Sequence, residues 1–194
     1  MSKYNQAYWD ERYKKEATPW DIGYAATPLS NYFDQLTNKH IKLLIPGCGN
    51  AYEAEYLVKH GFTQVHVIDI SAAAIENMRK RKIGLSESQL IHGDFFQHQG
   101  NYKLIIEQTF FCALDPAERP AYAKKMSKLL QPGGKLVGLL FDDALNTDHP
   151  PFGGSKAEYL SYFTPYFHIR CMETAYNSIK QRANRELFMI LEKK

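Results

Sequence analysis

The sequence predicts an α/β fold: a doubly wound, mostly parallel seven-stranded sheet with an antiparallel C-terminal edge strand. Three observations predict it. Short apolar runs alternate four times with segments of helical spacing, which is the signature of parallel strands joined by crossover helices. The first apolar run ends in a glycine turn, Gly47-Cys48-Gly49. Two late strands joined by a short connection suggest an antiparallel pair closing one side of the sheet. In order, residues 5–16 have Tyr8, Trp9 and Tyr13 at helical spacing, and a loop punctuated by Pro19 and Gly23 follows. Thr27-Pro28 opens a second helix as cap and first-turn proline. Residues 41–45 form a buried strand, 52–60 a helix and 64–70 a second strand. Ser71 stands where an N-cap belongs, ahead of a helix over 72–81. Residues 89–92 read as a third strand and 102–108 as a fourth. A helix capped by Asp115-Pro116 reaches residue 130, Pro132-Gly133-Gly134 turns, and 135–141 is the fifth strand. A helix over 156–163 precedes strands at 167–174 and 185–191.

Composition bounds what such a chain does. At 194 residues and 44% apolar content it is the size of one domain, which typically takes about 100–200 residues, so 1–194 is expected to be a single domain. No apolar run approaches the ~18 residues of a membrane span. The formal charge of +3 is too small for a nucleic-acid partner, whose affinity rests on dense basic patches. The basic run 78–82 ends a helix, where cations complement the dipole. Cys48, Cys112 and Cys171 have no metal or disulfide spacing, which argues for free thiols and a cytoplasmic location.

The glycine turn supplies the first functional signal. Residues without Cβ let a backbone pass close to a ligand, and Asp69, 22 residues beyond Gly47, ends the second strand, where a carboxylate can accept both ribose hydroxyls of a nucleoside. A diphosphate cofactor needs a third glycine, and Tyr52 stands in its place. The pattern therefore disfavours a nicotinamide dinucleotide and suits a cofactor without phosphates such as S-adenosylmethionine. Asp94, backed by Phe95, closes the third strand where an adenine amino group could donate. Glu107 and Gln108 close the fourth.

Five segments then resemble the thiopurine S-methyltransferase family of class I S-adenosylmethionine-dependent methyltransferases, which also holds halide, thiocyanate and thiol methyltransferases. They are Trp9 with residues 18–23 (TPWDIG), residues 45–49 (IPGCG), 67–71 (VIDIS), 110–123 (FFCALDPAERPAYA) and 149–152 (HPPF). Ala51 departs from the pattern, being glycine in many family members. The resemblance implies a Rossmann-like fold, with residues 1–36 a helical lid. It places Trp20 over the methionine part of the cofactor, Asp69 on its ribose, and Asp94 and Phe95 at its adenine. The cofactor set is then Trp9, Trp20, Gly47, Gly49, Asp69, Ile70, Asp94, Phe95 and Glu107. Arg119 and Phe111 match family positions near the methionine moiety and the acceptor, and form the candidate catalytic pair.

Chemistry narrows the acceptor. Displacement at a sulfonium methyl is driven by positioning and desolvation, and a soft nucleophile that is already anionic needs no protein base. Trp9, Trp20, Tyr24, Phe110, Phe111 and Phe152 are expected to form an aromatic cup for the sulfonium. Arg182 and Arg185 are further cations, read as solvated or salt-bridged, and Cys112 as a buried structural thiol. The expected partner is a small-molecule acceptor: thiol, thiopurine, thiocyanate or halide. Two other classes compete. A nucleic-acid or protein methyltransferase is disfavoured because Glu107-Gln108-Thr109-Phe110 replaces the Asn/Asp-Pro-Pro-Tyr signature, and a non-catalytic cofactor-binding protein is distinguishable by turnover.

Overall fold

A computed structural model describes residues 3–194; Met1 and Ser2, the start of the expected lid, lie outside the described residues. The strand order is β3-β2-β1-β4-β5-β7-β6 in a seven-stranded sheet. The chain divides into two compact units between His98 and Gln99.

The first unit holds α1 (Gln6–Lys14), α2 (Thr27–Asp34), β1 (Leu43–Pro46), α3 (Tyr52–Lys59), β2 (Val65–Asp69), α4 (Ala72–Arg81) and β3 (Leu90–His92). β1 is buried at all four positions, as an apolar strand covered on both faces must be. It pairs in parallel with β2, Leu43 opposite Val65, and β2 pairs in parallel with β3. Ser71 caps α4 as predicted, its side chain accepting from Ala74 N. α1 shows the expected two-sidedness in weak form: Tyr8, Trp9, Asp10, Arg12 and Tyr13 are half-buried and Gln6, Ala7, Glu11 and Lys14 are exposed, while none of its residues is fully buried.

The second unit holds β4 (Tyr102–Gln108), α5 (Arg119–Leu129), β5 (Leu130–Phe141), α6 (Lys156–Phe163), β6 (Phe167–Thr174) and β7 (Glu186–Lys193). β4 and β5 are parallel, and β7 runs antiparallel to both β5 and β6. The antiparallel strand is thus the C-terminal one, set one place in from the edge that β6 takes. The predicted turn at Pro132-Gly133-Gly134 is absorbed into a longer β5, where it makes an irregularity in the pairing with β4, with Gly133 at φ 64°. Gly138 on β5 faces Glu107 on β4, and a Cβ there would collide with the Glu107 backbone and Cβ. Its absence is what lets a glutamate sit inside this part of the sheet.

Candidate active site

The first unit carries a cradle at the carboxyl ends of β1 and β2. Gly47 (φ 55°) and Gly49 (φ 53°) take left-handed conformations that glycine adopts without strain. Ala51 follows at φ 55° and ψ 43°, so the family's glycine position keeps its backbone here although alanine pays a cost of about 1–2 kcal/mol for it. Asp69, 7% exposed, ties the two strands' ends together. Its Oδ2 accepts from Gly49 N at 2.9 Å and its Oδ1 from Ser71 N at 2.8 Å. Burial raises its pKa against the pull of these two N–H groups. Each oxygen keeps a lone pair for a further donor.

Aromatic rings stand against this turn. A Cβ on Gly49 would lie 2.7 Å from the Tyr13 hydroxyl, so the phenol rests directly on the glycine. Burial and the nearby Asp69 and Cys48 raise the Tyr13 pKa, and its side chain is hydrogen-bonded to Trp20. Trp20 meets Trp9 edge-to-face at 5.6 Å and Tyr13 at 6.0 Å, the arrangement that ring quadrupoles favour. Trp9 Nε1 donates to the Tyr4 carbonyl at 3.1 Å. The loop bearing Trp20 is pinned by Asp21, whose Oδ1 accepts from Gly23 N at 2.7 Å and whose Oδ2 accepts from the Asn50 amide. Arg81 then holds the glycine turn from the other side: it donates to the Asn50 carbonyl and to Glu55, and stacks on Tyr52 at 4.4 Å.

The structure therefore brings together Trp9, Trp20, Gly47, Gly49 and Asp69. Ile70 continues from Asp69, half-buried, and its carbonyl lies 3.2 Å from His92 Nε2. Asp94 is exposed, with one oxygen accepting from Phe96 N at 2.8 Å in a local turn, and Phe95 is buried behind it. Tyr24, expected in the aromatic cup, is 52% exposed.

The second unit carries a different cluster, at the end of β4. Glu107 is fully buried. Its Oε1 accepts from Phe110 N at 2.8 Å and Phe111 N at 2.9 Å, and its Oε2 accepts from the Tyr122 hydroxyl. These bonds shape a turn in which Thr109 takes φ 57°. Burial pushes the Glu107 pKa up to about 7, against the three donors that favour its charge. Phe111 packs edge-to-face on Tyr122 at 5.0 Å and on Tyr159 at 5.3 Å. Arg119 lies beneath it, its guanidinium 4.8 Å from the ring centroid. That cation is also enclosed: it pairs with Glu158 at 2.9 Å and donates to the carbonyl of Gly153 at 2.9 Å. Cys112, its thiol 3.3 Å from the Thr109 carbonyl, is pushed up to about 12 by burial and by Glu107. Arg182 pairs with Glu186 at 3.4 Å and Arg185 with Asp143, the salt-bridged role expected of them.

Sequence reasoning missed the residues that hold these clusters. Tyr13, Asp10, Asp21 and Asn50 build the cradle's supports, and Tyr122 and Gly138 accommodate Glu107. Asp21 and Tyr122 fall inside the family-like segments and Tyr13 on the helical stripe, but nothing local to them tells their role; Gly138 left a trace of its own, since a glycine inside an apolar strand marks a close approach.

A seven-stranded sheet of this order, with a glycine turn after β1 and a buried carboxylate ending β2, is the fold of class I S-adenosylmethionine-dependent methyltransferases. Solved structures share it: magnesium protoporphyrin IX methyltransferase from Synechocystis PCC 6803 with bound S-adenosylmethionine superposes with a TM-score of 0.74 at 13% identity, over 97% of this chain and 95% of that one. The 1,6-didemethyltoxoflavin-N1-methyltransferase of Burkholderia thailandensis, with bound S-adenosylhomocysteine, also gives 0.74, at 12% identity over 97% and 87%. At these identities the likeness speaks for the fold alone. The chain belongs to the thiopurine S-methyltransferase family, whose model matches residues 4–193. Among its relatives, "Probable thiol methyltransferase 2" of Arabidopsis thaliana is 32% identical over 172 residues, 85% of this chain and 75% of the relative. "Thiocyanate methyltransferase 1" of Brassica oleracea is 28% identical over 184 residues, 92% and 81%.

Proposed function

We propose that this methyltransferase passes the methyl group of S-adenosylmethionine, by direct in-line displacement, to a small soft nucleophile: a thiol, thiopurine, thiocyanate or halide. The observation that carries the reading is the cradle of the first unit. Two left-handed glycines, a buried carboxylate with free lone pairs, and the Trp9–Trp20–Tyr13 group resting on Gly49 fit a sulfonium nucleoside. They do not suit a diphosphate, because Tyr52 begins α3 where a pyrophosphate would need open backbone.

The cofactor supplies an electrophilic methyl on a positively charged sulfur, and the chain's residues supply binding, orientation and exclusion of water. Asp69 is the ribose acceptor in this reading, and Asp94, Phe95 and Ile70 flank the adenine. Trp9, Trp20 and Tyr13 cover the cradle, with residues 3–36 acting as the lid, and each ring face properly set toward a cation is worth about 0.5–2 kcal/mol. Glu107 is fully buried and already accepts three hydrogen bonds, two of them from the turn that follows β4, so we read it as the group that fixes the turn through Phe110 and Phe111 rather than as a cofactor ligand. Arg119, paired with Glu158 under Phe111, supports that ring as a positioning residue rather than touching the acceptor.

The chemistry of the second cluster favours an acceptor that arrives ionised. Glu107 is enclosed by its three donors, and the Cys112 thiol stays protonated at neutral pH. Neither is set to take a proton from a substrate. The three unpaired cysteines accord with work in the reducing cytoplasm, and no described helix is long and apolar enough to cross a membrane.

The test is S-adenosylhomocysteine release measured with iodide, thiocyanate, hydrosulfide, thiophenols and thiopurines across pH. With thiols the rate should rise and level off at each thiol's own pKa, while halide and thiocyanate stay nearly flat through neutrality. One enzyme pKa near ~6.5 governing every acceptor alike would show a histidine base and overturn the reading, as would turnover with none of these acceptors.

A further inference from the structure

The helix that carries Trp9 and Tyr13 has little to hold it. α1 is nine residues long with no residue buried, and isolated helices shorter than about 12–15 residues are marginal in water. Its own N-cap, Asn5 accepting from Tyr8 N at 3.2 Å, stabilises the helix but fixes it to nothing. Its rings rest on Trp20 and on Gly49, and the hydrogen bonds that tie it to the β2–α4 turn come from one side chain. Asp10 Oδ1 accepts from the Ser71 hydroxyl at 2.6 Å and from Ala73 N at 3.1 Å, while its Oδ2 accepts from Gln6 at 3.2 Å.

Ser71 is the junction. It is fully buried; its N–H donates to Asp69 Oδ1, its hydroxyl donates to Asp10, and that same hydroxyl accepts from Ala74 N at 3.2 Å as the cap of α4. One unbroken set of hydrogen bonds therefore runs from the Gly49 N–H through Asp69 and Ser71 to Asp10 on α1. Asp10 also puts its negative charge at the N-terminus of a ten-residue helix, where the helix dipole favours it.

We infer that Asp10 is a positioning residue for cofactor binding: by latching α1 to the β2–α4 turn it sets how much of the protein has Trp9 and Tyr13 seated over the cradle. The inference rests on the reading of that cradle as the S-adenosylmethionine site. A ligand's apparent affinity scales with the fraction of protein in the competent state, so loosening the latch weakens binding without touching the ligand. The reacting methyl is not Asp10's concern, and once the cofactor saturates the protein the rate of transfer is unaffected by how often the empty lid opens.

The experiment is calorimetry with S-adenosylmethionine and S-adenosylhomocysteine on the full chain, combined with steady-state kinetics. Asp10→Ala removes both acceptors and should raise Kd and the KM for S-adenosylmethionine about 5- to 30-fold, with kcat within about twofold. Asp10→Asn keeps an oxygen for Ser71 and Ala73 and gives up the charge and the Gln6 acceptor within α1 itself, so its affinity should lie within about fivefold of the wild type and above that of Asp10→Ala. Hydrogen exchange in the wild type provides a check that needs no variant: the amides of α1 should exchange fast in the free protein and slow about tenfold or more with S-adenosylhomocysteine bound. Unchanged affinity in Asp10→Ala, a fall in kcat at constant KM, an Asn variant as impaired as the Ala one, or α1 amides indifferent to ligand would each overturn the latch. A wild-type protein that binds neither compound would instead overturn the cofactor reading beneath it.

Discussion

Replacing Glu107 by glutamine should flatten the pH dependence of stability, and the size of the effect follows from the group's surroundings. Glu107 is fully buried between the Phe110 and Phe111 N–H groups and the Tyr122 hydroxyl. Desolvation outweighs those three donors and lifts its pKa from 4.5 to about 7. A folded pKa above the unfolded one means that the native state holds its proton more tightly. The associated stability is complete below about pH 4.5 and is lost as pH rises through 7. At 1.36 kcal/mol per unit, this carboxyl should cost the wild type about 3 kcal/mol between pH 4.5 and 7.5. Glutamine accepts the two N–H groups through its carbonyl oxygen and meets Tyr122 through its amide, with the phenol turned to accept. It neither titrates nor carries a charge to desolvate. Urea denaturation at half-unit intervals from pH 5 to 8 gives the measurement. The difference between variant and wild type should move in the variant's favour by about 2–3 kcal/mol across that window. Two parallel curves would refute the argument, since they would mean that Glu107 is ionised throughout and that its three donors fully offset burial.

Two further outcomes test the clusters separately. Asp69→Ala should weaken S-adenosylhomocysteine binding by about 1–3 kcal/mol and also lower stability, because the Gly49 and Ser71 N–H groups lose their acceptor; calorimetry and denaturation report the two losses independently, and unchanged affinity in a folded variant removes Asp69 from the site. Arg119→Met should destabilise by about 2–4 kcal/mol, read by denaturation, since it leaves the Gly153 carbonyl without this donor and the Glu158 carboxylate without its cation, with the Tyr162 hydroxyl still donating to it. Partial exposure of the Glu158 side chain keeps this below the cost of stranding a fully buried charge.

What the sequence disclosed and what it withheld divide along physical lines. α4 was readable to the residue because Ser71 is a local N-cap and Arg79 to Arg81 complement the helix's C-terminus; both signals act within one turn of the chain. β4 was readable because its apolar run is continuous and its ends are polar. The glycine turn was readable because left-handed backbone has few residue solutions, and Ala51 shows the limit of that rule, holding the same conformation with a Cβ. Arg119 illustrates the opposite case. Its position in a family motif marked it as important, but importance has two sources, contact with a ligand and support of a neighbour, and only the enclosure of the guanidinium by Glu158, Gly153 and Phe111 points to the second. Asp10 was silent for a related reason: an aspartate on a short polar helix looks solvated until Ser71, 61 residues on, is brought to it. Side chains that bind by shape and backbone can be recognised from their neighbours in sequence. Those that hold such groups in place draw their partners from across the fold, and a single sequence carries no local record of that pairing.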